Sequence, residues 1–460
     1  MAITNTPTEQ IVRIVSAQRA FFRSGQTLDI EYRLSALRAL KAALKKWEKP
    51  LAEALWQDLH KSYEEAYLTE LSIVLGEIDN HISHLKGWAS PKRCSTPLKM
   101  FPSRSKTISE PLGCSLIIAP WNYPVQLLLN PLVGAISAGC TAILKPSPYV
   151  ESVSKVIEEL IRETFNENYI AVVQGNRDVN TALLEQRYDL IFFTGSPSLG
   201  RKVMAAASKN LTPVVLELGG KSPCIVDSSA NIATVARRIA WGKSLNAGQT
   251  CIAPDYLLVH KSVKSQLIEA LGREFRSLLG ENPKQCNHFV RIVNDKAFDR
   301  LVGYLEGADI VFGGEYDKAE RFIAPTIVDN VNPDSPIMQE EIFGPIFPIV
   351  TFGDIAEAVE FVTKREKPLA LYYFGDDKSA KYLLKHTSSG GACVNDTIMH
   401  IANERLPFGG VGNSGISSYH GIESFKVFSH CRAVVTTPTW IDIPFRYMPY
   451  KMFSLVKKLL

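Results

Sequence analysis

Residues 111–144 read PLGCSLIIAPWNYPVQLLLNPLVGAISAGCTAIL, 34 positions without one charged side chain. A membrane span needs about 20 consecutive apolar residues, so this run is long enough to suggest one. Prolines at 120, 124 and 131 interrupt it, and the amides Asn122 and Asn130 sit mid-run. Each proline deletes a helical hydrogen bond, so no unbroken span survives. The stretch reads instead as a buried strand over Cys114–Ala119, a tight polar turn, and a helix beginning near Pro131 that packs on a sheet.

The flanking sequence extends that pattern. From Ser109 to Leu218, short apolar runs (SLIIA, TAILK, YIAVVQG, DLIFFTG, TPVVLEL) alternate with helical stretches, as parallel strands with crossover helices do. A second alternating region, from about Gly220 to Phe428, has its own runs (YLLVH, DIVFGG, PIVTFG, LALYYFG, GGACVND). The fold class is therefore α/β, with two lobes and a cleft suited to a cofactor and a substrate. The first 90 residues read as helices, with Tyr67, Leu71, Val74, Leu75, Ile78, Ile82 and Leu85 at helical spacing. His81 and His84 share a face there; no third ligand is near, so a solvated pair is expected and no metal site. The polar, basic segment 90–106 is a candidate crossing between lobes.

Composition narrows the class. A chain of 460 residues, with 46% apolar and 21% charged residues, is an ordinary globular one with room for two or three domains. Fifty-one basic against 47 acidic residues leave a net charge of +4, spread evenly, which argues against a nucleic-acid binder. The eight cysteines form no C-x-x-C, and MAITNTPTEQ at the start carries no secretory signal pattern. A cytoplasmic, reducing location with eight free thiols is the expectation.

Several segments carry chemistry. FFTGSPSLGRK (192–202) sets Gly195 and Gly200 after a strand and at the opening of a helix, where amides favour phosphate. Neither a P-loop nor G-x-G-x-x-G is present, so an ordinary strand–helix turn fits as well. Glu217, in LELGGKSP, closes an apolar run; burial would raise its pKa toward that of a general base, unless it caps the turn. Cys251, in LNAGQTCIAPDY, sits among small residues that leave room for a substrate, although most free cysteines are packing residues. The Asn122 amide could serve a developing oxyanion. EEIFGPIFP (340–348) reads as a surface turn or as a contact to a planar ligand, and LPFGGVGNSG (406–415), with four glycines, as a close-packed loop.

Taken together, PWNYP (120–124), LKPS (144–147), FTGSPSLG (193–200), LELGGKSP (216–223), GQTC (248–251), EEIFGP (340–345) and PFGGVGNSG (407–415) resemble the aldehyde dehydrogenase superfamily. They stand in family order along nearly the whole chain. The Cys-Ile-Ala-Pro-Asp-Tyr run and NSGISSYHG (413–421) look most like class 3, the fatty and aromatic aldehyde dehydrogenases. The resemblance implies two Rossmann-like open-sheet lobes and a small bridging β element. Residues 1–88 and 107–219 would bind NAD or NADP, 220–428 would be catalytic, 89–106 and 429–446 would bridge and oligomerise, and 447–460 would form a tail. Cys251 would attack the aldehyde, Asn122 and the Cys251 amide would hold the oxyanion, and Glu217 would activate water. Lys145 and Glu341 would bind ribose hydroxyls, and Phe343 and Trp121 would flank the nicotinamide. Gly195, Ser196 and Gly200 would lie near the pyrophosphate, Leu218 would join the cofactor set, and Tyr123 is a plausible pocket wall. No metal is implied, and a homodimer is expected.

Where relatives often read K-P-S-E, position 148 is proline. The missing carboxylate removes repulsion against a 2′-phosphate, so NADP should be tolerated as well as NAD. The tail YMPYKMFSLVKKLL, with Met452, Phe453, Leu455, Val456, Leu459, Leu460 and three lysines, is too short to span a bilayer. It is expected on a partner subunit rather than a membrane surface. A CoA-acylating relative and a non-redox cysteine hydrolase are the rival readings; Glu217 weighs against the first and the cofactor segments against the second.

Overall fold

The computed structural model describes residues 4–442, 444–450 and 453–459. Two open sheets organise it. The first has six strands in the order Gly415–Ile416, Val214–Leu218, Leu190–Gly195, Cys114–Ile118, Thr141–Lys145, Ile170–Val172. All neighbours are parallel except the short edge strand Gly415–Ile416. Strands Cys114–Ile118 and Thr141–Lys145 are buried at every position, because helices cover both faces, as a parallel sheet requires. The second sheet has seven strands in the order Asp309–Phe312, Thr326–Asp329, Ile346–Phe352, Tyr256–His260, Pro223–Val226, Ala370–Phe374, Gly391–Val394. Only Asp309–Phe312 runs antiparallel to its neighbour.

A third, three-stranded antiparallel sheet joins Lys92–Cys94, Arg104–Pro111 and Ser429–Thr436. The basic segment 90–106 thus contributes strands, and the residues of Ser429–Thr436 alternate too weakly to have marked one. The last part of 220–428 does not stay with the second sheet: Gly415–Ile416 pairs with Val214–Leu218, and helix Ile422–Val427 packs on helix Gln126–Ala138.

Two expectations are corrected. The helix after the PWNYP turn begins at Gln126, not near Pro131, and Pro131 lies inside it. Every residue of Gln126–Ala138 is buried, and that apolar burial outweighs the missing proline N–H. His81 is not solvated: it is fully buried, with Nδ1 2.5 Å from Ser137 Oγ and Nε2 3.0 Å from Glu77 Oε1. His84 alone of that pair is exposed, and no metal-binding cluster occurs among the described residues. Of the tail residues, Met452 and Leu460 lie outside the described residues. Among the described residues no helix is long and apolar enough to cross a membrane, and all eight cysteines are free.

The glycine-rich loop 406–415 is close-packed, as expected. A Cβ on Gly410 would overlap the Ser414 carbonyl, and one on Gly409 the Ser417 carbonyl. Gly410→Ala should therefore cost about 1–3 kcal/mol through overpacking and lower the urea midpoint. An unchanged midpoint would refute the close approach.

Candidate active site

In the six-stranded sheet the chain moves from Cys114–Ile118 outward to Thr141–Lys145 and Ile170–Val172, then returns on the other side at Leu190–Gly195. Strand order reverses between Cys114–Ile118 and Leu190–Gly195, and open α/β sheets take ligands at the carboxyl ends of such a reversal. The turns leaving these two strands are 119–125 and Gly195–Ser196.

Gly195 ends its strand, and Ser196 caps helix Pro197–Ser208 through its Oγ, which accepts from Leu199 N at 3.4 Å. Gly200 lies in that helix with its α-carbon against the sheet; a Cβ there would come within 2.8 Å of Leu218. Its lack of a side chain lets the helix sit close to Val214–Leu218. Lys145 ends its strand with Nζ donating to the Pro146 carbonyl at 2.7 Å, and burial pulls its pKa down to about 8.

Across the cleft, 340–345 is a built turn rather than a loose surface one. Arg300 Nη2 donates to the Ile342 carbonyl at 2.7 Å, and Ile342 N donates to Asp255 Oδ1 at 2.8 Å. Phe343 takes a left-handed φ of 50° and meets Trp121 edge-on, with ring centroids 5.4 Å apart. The Glu341 carboxylate presses on Gly219 so closely that no Cβ would fit there. Burial, then the nearby Asp255 charge, push Glu341 up to about 8.

Glu217 is the fourth residue of Val214–Leu218 and is only 3% exposed. Among the described residues neither of its carboxylate oxygens has a hydrogen-bond partner, so it caps no turn there. Burial raises its pKa well above 4.5. Cys251 follows helix Ile232–Ser244 and a turn in which Asn246 and Ala247 both have left-handed φ of 51°. Gly248 is needed there, since a Cβ would overlap the Gly344 carbonyl. Burial, with the negative fields of Glu341 and Glu217, holds the Cys251 thiol far above its ordinary value.

Glu217, Cys251, Tyr123, Thr250, Tyr419 and His420 line one cavity of about 700 Å³ whose other walls are largely apolar. Tyr123 Oη lies 2.7 Å from Thr250 Oγ1, which fixes the ring as a wall. Asn122 stands just behind this lining: its Nδ2 donates to the Gln249 carbonyl at 3.0 Å, leaving the second N–H of the amide. Tyr419 and His420 were not singled out from sequence, although both present unpartnered polar atoms to the cavity. Their signal was the Tyr-His pair in NSGISSYHG, six residues past the glycine loop's asparagine.

A cysteine thiol, a buried unpartnered carboxylate and a largely apolar chamber next to a strand-order reversal define the site. Residues 1–434 match the aldehyde dehydrogenase family model, and the chain belongs to that family and is an aldehyde-oxidising enzyme. It is 49% identical over 443 residues to the 4,4'-diaponeurosporen-aldehyde dehydrogenase of Staphylococcus aureus, covering 95% of this chain and 96% of that one. It is 43% identical over 443 residues to the dimeric NADP-preferring aldehyde dehydrogenase of Canis lupus familiaris, covering 96% and 98%. A solved structure of Staphylococcus aureus AldH in a substrate-bound state superposes with a TM-score of 0.96 at 47% identity, covering 99% of each chain.

Because the Cys251 pKa is raised, its thiolate fraction stays small at neutral pH in the cofactor-free chain. Alkylation of Cys251 by iodoacetamide, followed by peptide mass spectrometry, should accelerate about tenfold per pH unit from 7 to 9 without levelling off. A plateau below pH 8 would contradict the raised thiol.

Proposed function

We propose that this enzyme oxidises medium-to-long-chain aliphatic or aromatic aldehydes to carboxylic acids, with Cys251 as nucleophile, Glu217 as base and Asn122 as oxyanion donor. The observation that carries the proposal is the unpartnered Glu217 carboxylate facing the same apolar cavity as Cys251. The cofactor-side residues fit a dinucleotide. Among the described residues Lys145 Nζ donates only to the neighbouring Pro146 carbonyl, and the half-buried Glu341 carboxylate takes a backbone hydrogen bond from Gly220 with room for another donor, so ribose hydroxyls would serve both. The N-terminus of Pro197–Ser208, with no acidic residue in its first turn, suits a pyrophosphate.

The chemistry follows from the residues. The Cys251 proton passes to the ionised fraction of Glu217, and Sγ bonds to the carbonyl carbon. The carbonyl π pair moves to oxygen, held by the Asn122 amide and the Cys251 backbone N–H. Cys251 is left as a thioacyl when the oxygen pair re-forms the carbonyl and the C–H bond breaks with loss of hydride, for which bound NAD or NADP would supply the acceptor. After Glu217 has released its proton, it takes one from water; the hydroxide adds to the thioacyl carbon and the C–S bond breaks. A dry base beside the nucleophile favours water over CoA as the acyl acceptor.

Half-buried Pro148 in place of an acid, together with a relative named NADP-preferring, supports use of both cofactors. Residues 1–88 and 107–219 would hold the cofactor, 220–428 would carry Cys251, and 89–106 with 429–446 would form the contact of a homodimer, as relatives named dimeric suggest. The cytoplasm suits the eight free thiols.

Absorbance of reduced nicotinamide over an aldehyde panel tests the reading. Cys251→Ala should abolish turnover, and undiminished oxidation by it would overturn the mechanism. Glu217→Gln should lower kcat by about 10²–10⁴-fold, and in the native chain kcat should rise with pH as the raised Glu217 pKa is approached. For both cofactors kcat/KM should lie within about three decades, a span of roughly 4 kcal/mol in transition-state binding.

A further inference from the structure

Three charged residues far from the chemistry in sequence stand against both reactive loops. Lys61 follows helix Glu48–Leu59, and Glu70 lies in the π-helical turn Tyr67–Leu71, which swings its carboxylate inward. Both side chains are fully buried, and Lys61 Nζ donates to Glu70 Oε1 at 2.7 Å. The pair does not close on itself. Lys61 Nζ also donates to the Asn122 backbone carbonyl at 3.1 Å and sits 4.2 Å from the centre of the Tyr123 ring. Glu70 Oε2 accepts from Val125 N at 2.8 Å and Gln126 N at 3.4 Å. One ion pair therefore holds the turn that carries Asn122 at two points, at Asn122 itself and where the turn enters the helix.

Glu65, on the same segment, holds the other loop. Its Oε1 accepts from Asn246 N at 2.8 Å, at the first of the two left-handed residues before Cys251. Asn246 Nδ2 then donates to the Asn122 carbonyl at 3.1 Å and to the Gln249 carbonyl at 2.9 Å, the acceptor that Asn122 Nδ2 also uses. The two loops share acceptors, and residues 61–70 supply the groups that fix both.

We propose that Lys61, Glu65 and Glu70 are positioning residues that set the Asn122 amide and the Cys251 loop relative to each other. The pair is poor value as a stabiliser. A buried ion pair gains little net stability over neutral side chains of similar volume. Its hydrogen bonds to Asn122 and Val125 give it a different use, because a displacement of about 1 Å in a catalytic group costs roughly 100-fold in rate. The inference rests on the proposed roles of Asn122 and Cys251.

The test separates geometry from stability. In the full chain, Lys61→Met/Glu70→Gln removes both charges, keeps an oxygen acceptor for Val125 N and deletes the donor to the Asn122 carbonyl. Its Tm should stay near that of the native chain, whereas kcat falls at least about tenfold with aldehyde and cofactor KM little changed. A double variant with native kcat would overturn the Lys61–Glu70 arm. An independent pair keeps the proposal falsifiable if that variant does not fold. Glu65→Gln retains the acceptor for Asn246 N and should stay within about threefold of native kcat, whereas Glu65→Met should fall at least about tenfold. Equal rates for these two would overturn the Glu65 arm. A native chain inactive on every aldehyde in the same assay would overturn the reading of the site itself, and the clamp with it.

Discussion

The return of Gly415–Ile416 to the edge of the six-stranded sheet is the constraint on which the site depends. Gly415 pairs with Glu217, and Ile416 with Leu216. Only glycine fits at 415, where a Cβ would overlap the Leu216 carbonyl, and only glycine fits at 410, against Ser414. That pairing covers an edge that would otherwise expose the strand carrying Glu217. It also delivers Tyr419 and His420 to the cavity and lets Phe408 and Tyr419 bond across the loop, with N–O distances of 3.0 and 2.8 Å. Without it, water would reach Glu217 from the sheet edge, and the burial that raises its pKa would be lost.

Burial at this site is bought with local strain and unpaired polar groups. Asn246, Ala247 and Phe343 all hold left-handed backbone, a conformation that costs each non-glycine residue about 1 kcal/mol or more. Tyr419 Oη, His420 Nε2 and both Glu217 oxygens lie buried without partners. Unpartnered buried polar atoms call for an explanation, and those at this cavity are ones that a bound substrate and its water could satisfy. The large apolar core around helix Gln126–Ala138 supplies the stability that makes this arrangement sustainable.

How far the sequence discloses this depends on the range of the interaction. Strands such as Cys114–Ile118 and Leu190–Gly195 are legible because burial on both faces leaves continuous apolar runs. Glu217 and Cys251 stand out because a charged or reactive side chain interrupts apolar or small-residue surroundings. As residue patterns Lys92–Cys94 and Ser429–Thr436 are not legible, because these exposed strands carry mixed polar residues, and the second pairs with Arg104–Pro111 across more than 300 positions. His81 reads as a solvated residue until Ser137, 56 positions away, is seen beside it. Lys61 and Glu70 look like surface charges on a helical segment for the same reason: their partners at 122, 125 and 126 come from a different part of the chain.

The two sides of the cleft also share an electrostatic logic. Lys145 is pulled down to about 8 and Glu341 is pushed up to about 8, each mainly by burial. At neutral pH most of the lysine therefore keeps its charge, while most of the glutamate is protonated and can donate as well as accept. A ligand rich in hydroxyls can satisfy both without bringing a compensating charge of its own to that end. On the proposed reading its phosphates would fall to the amides at the start of Pro197–Ser208, where the helix macrodipole is positive. Anionic and neutral parts of one long ligand are thereby assigned to opposite kinds of surface. Such a division would let a chain with a net charge of only +4 accommodate a dinucleotide through local groups.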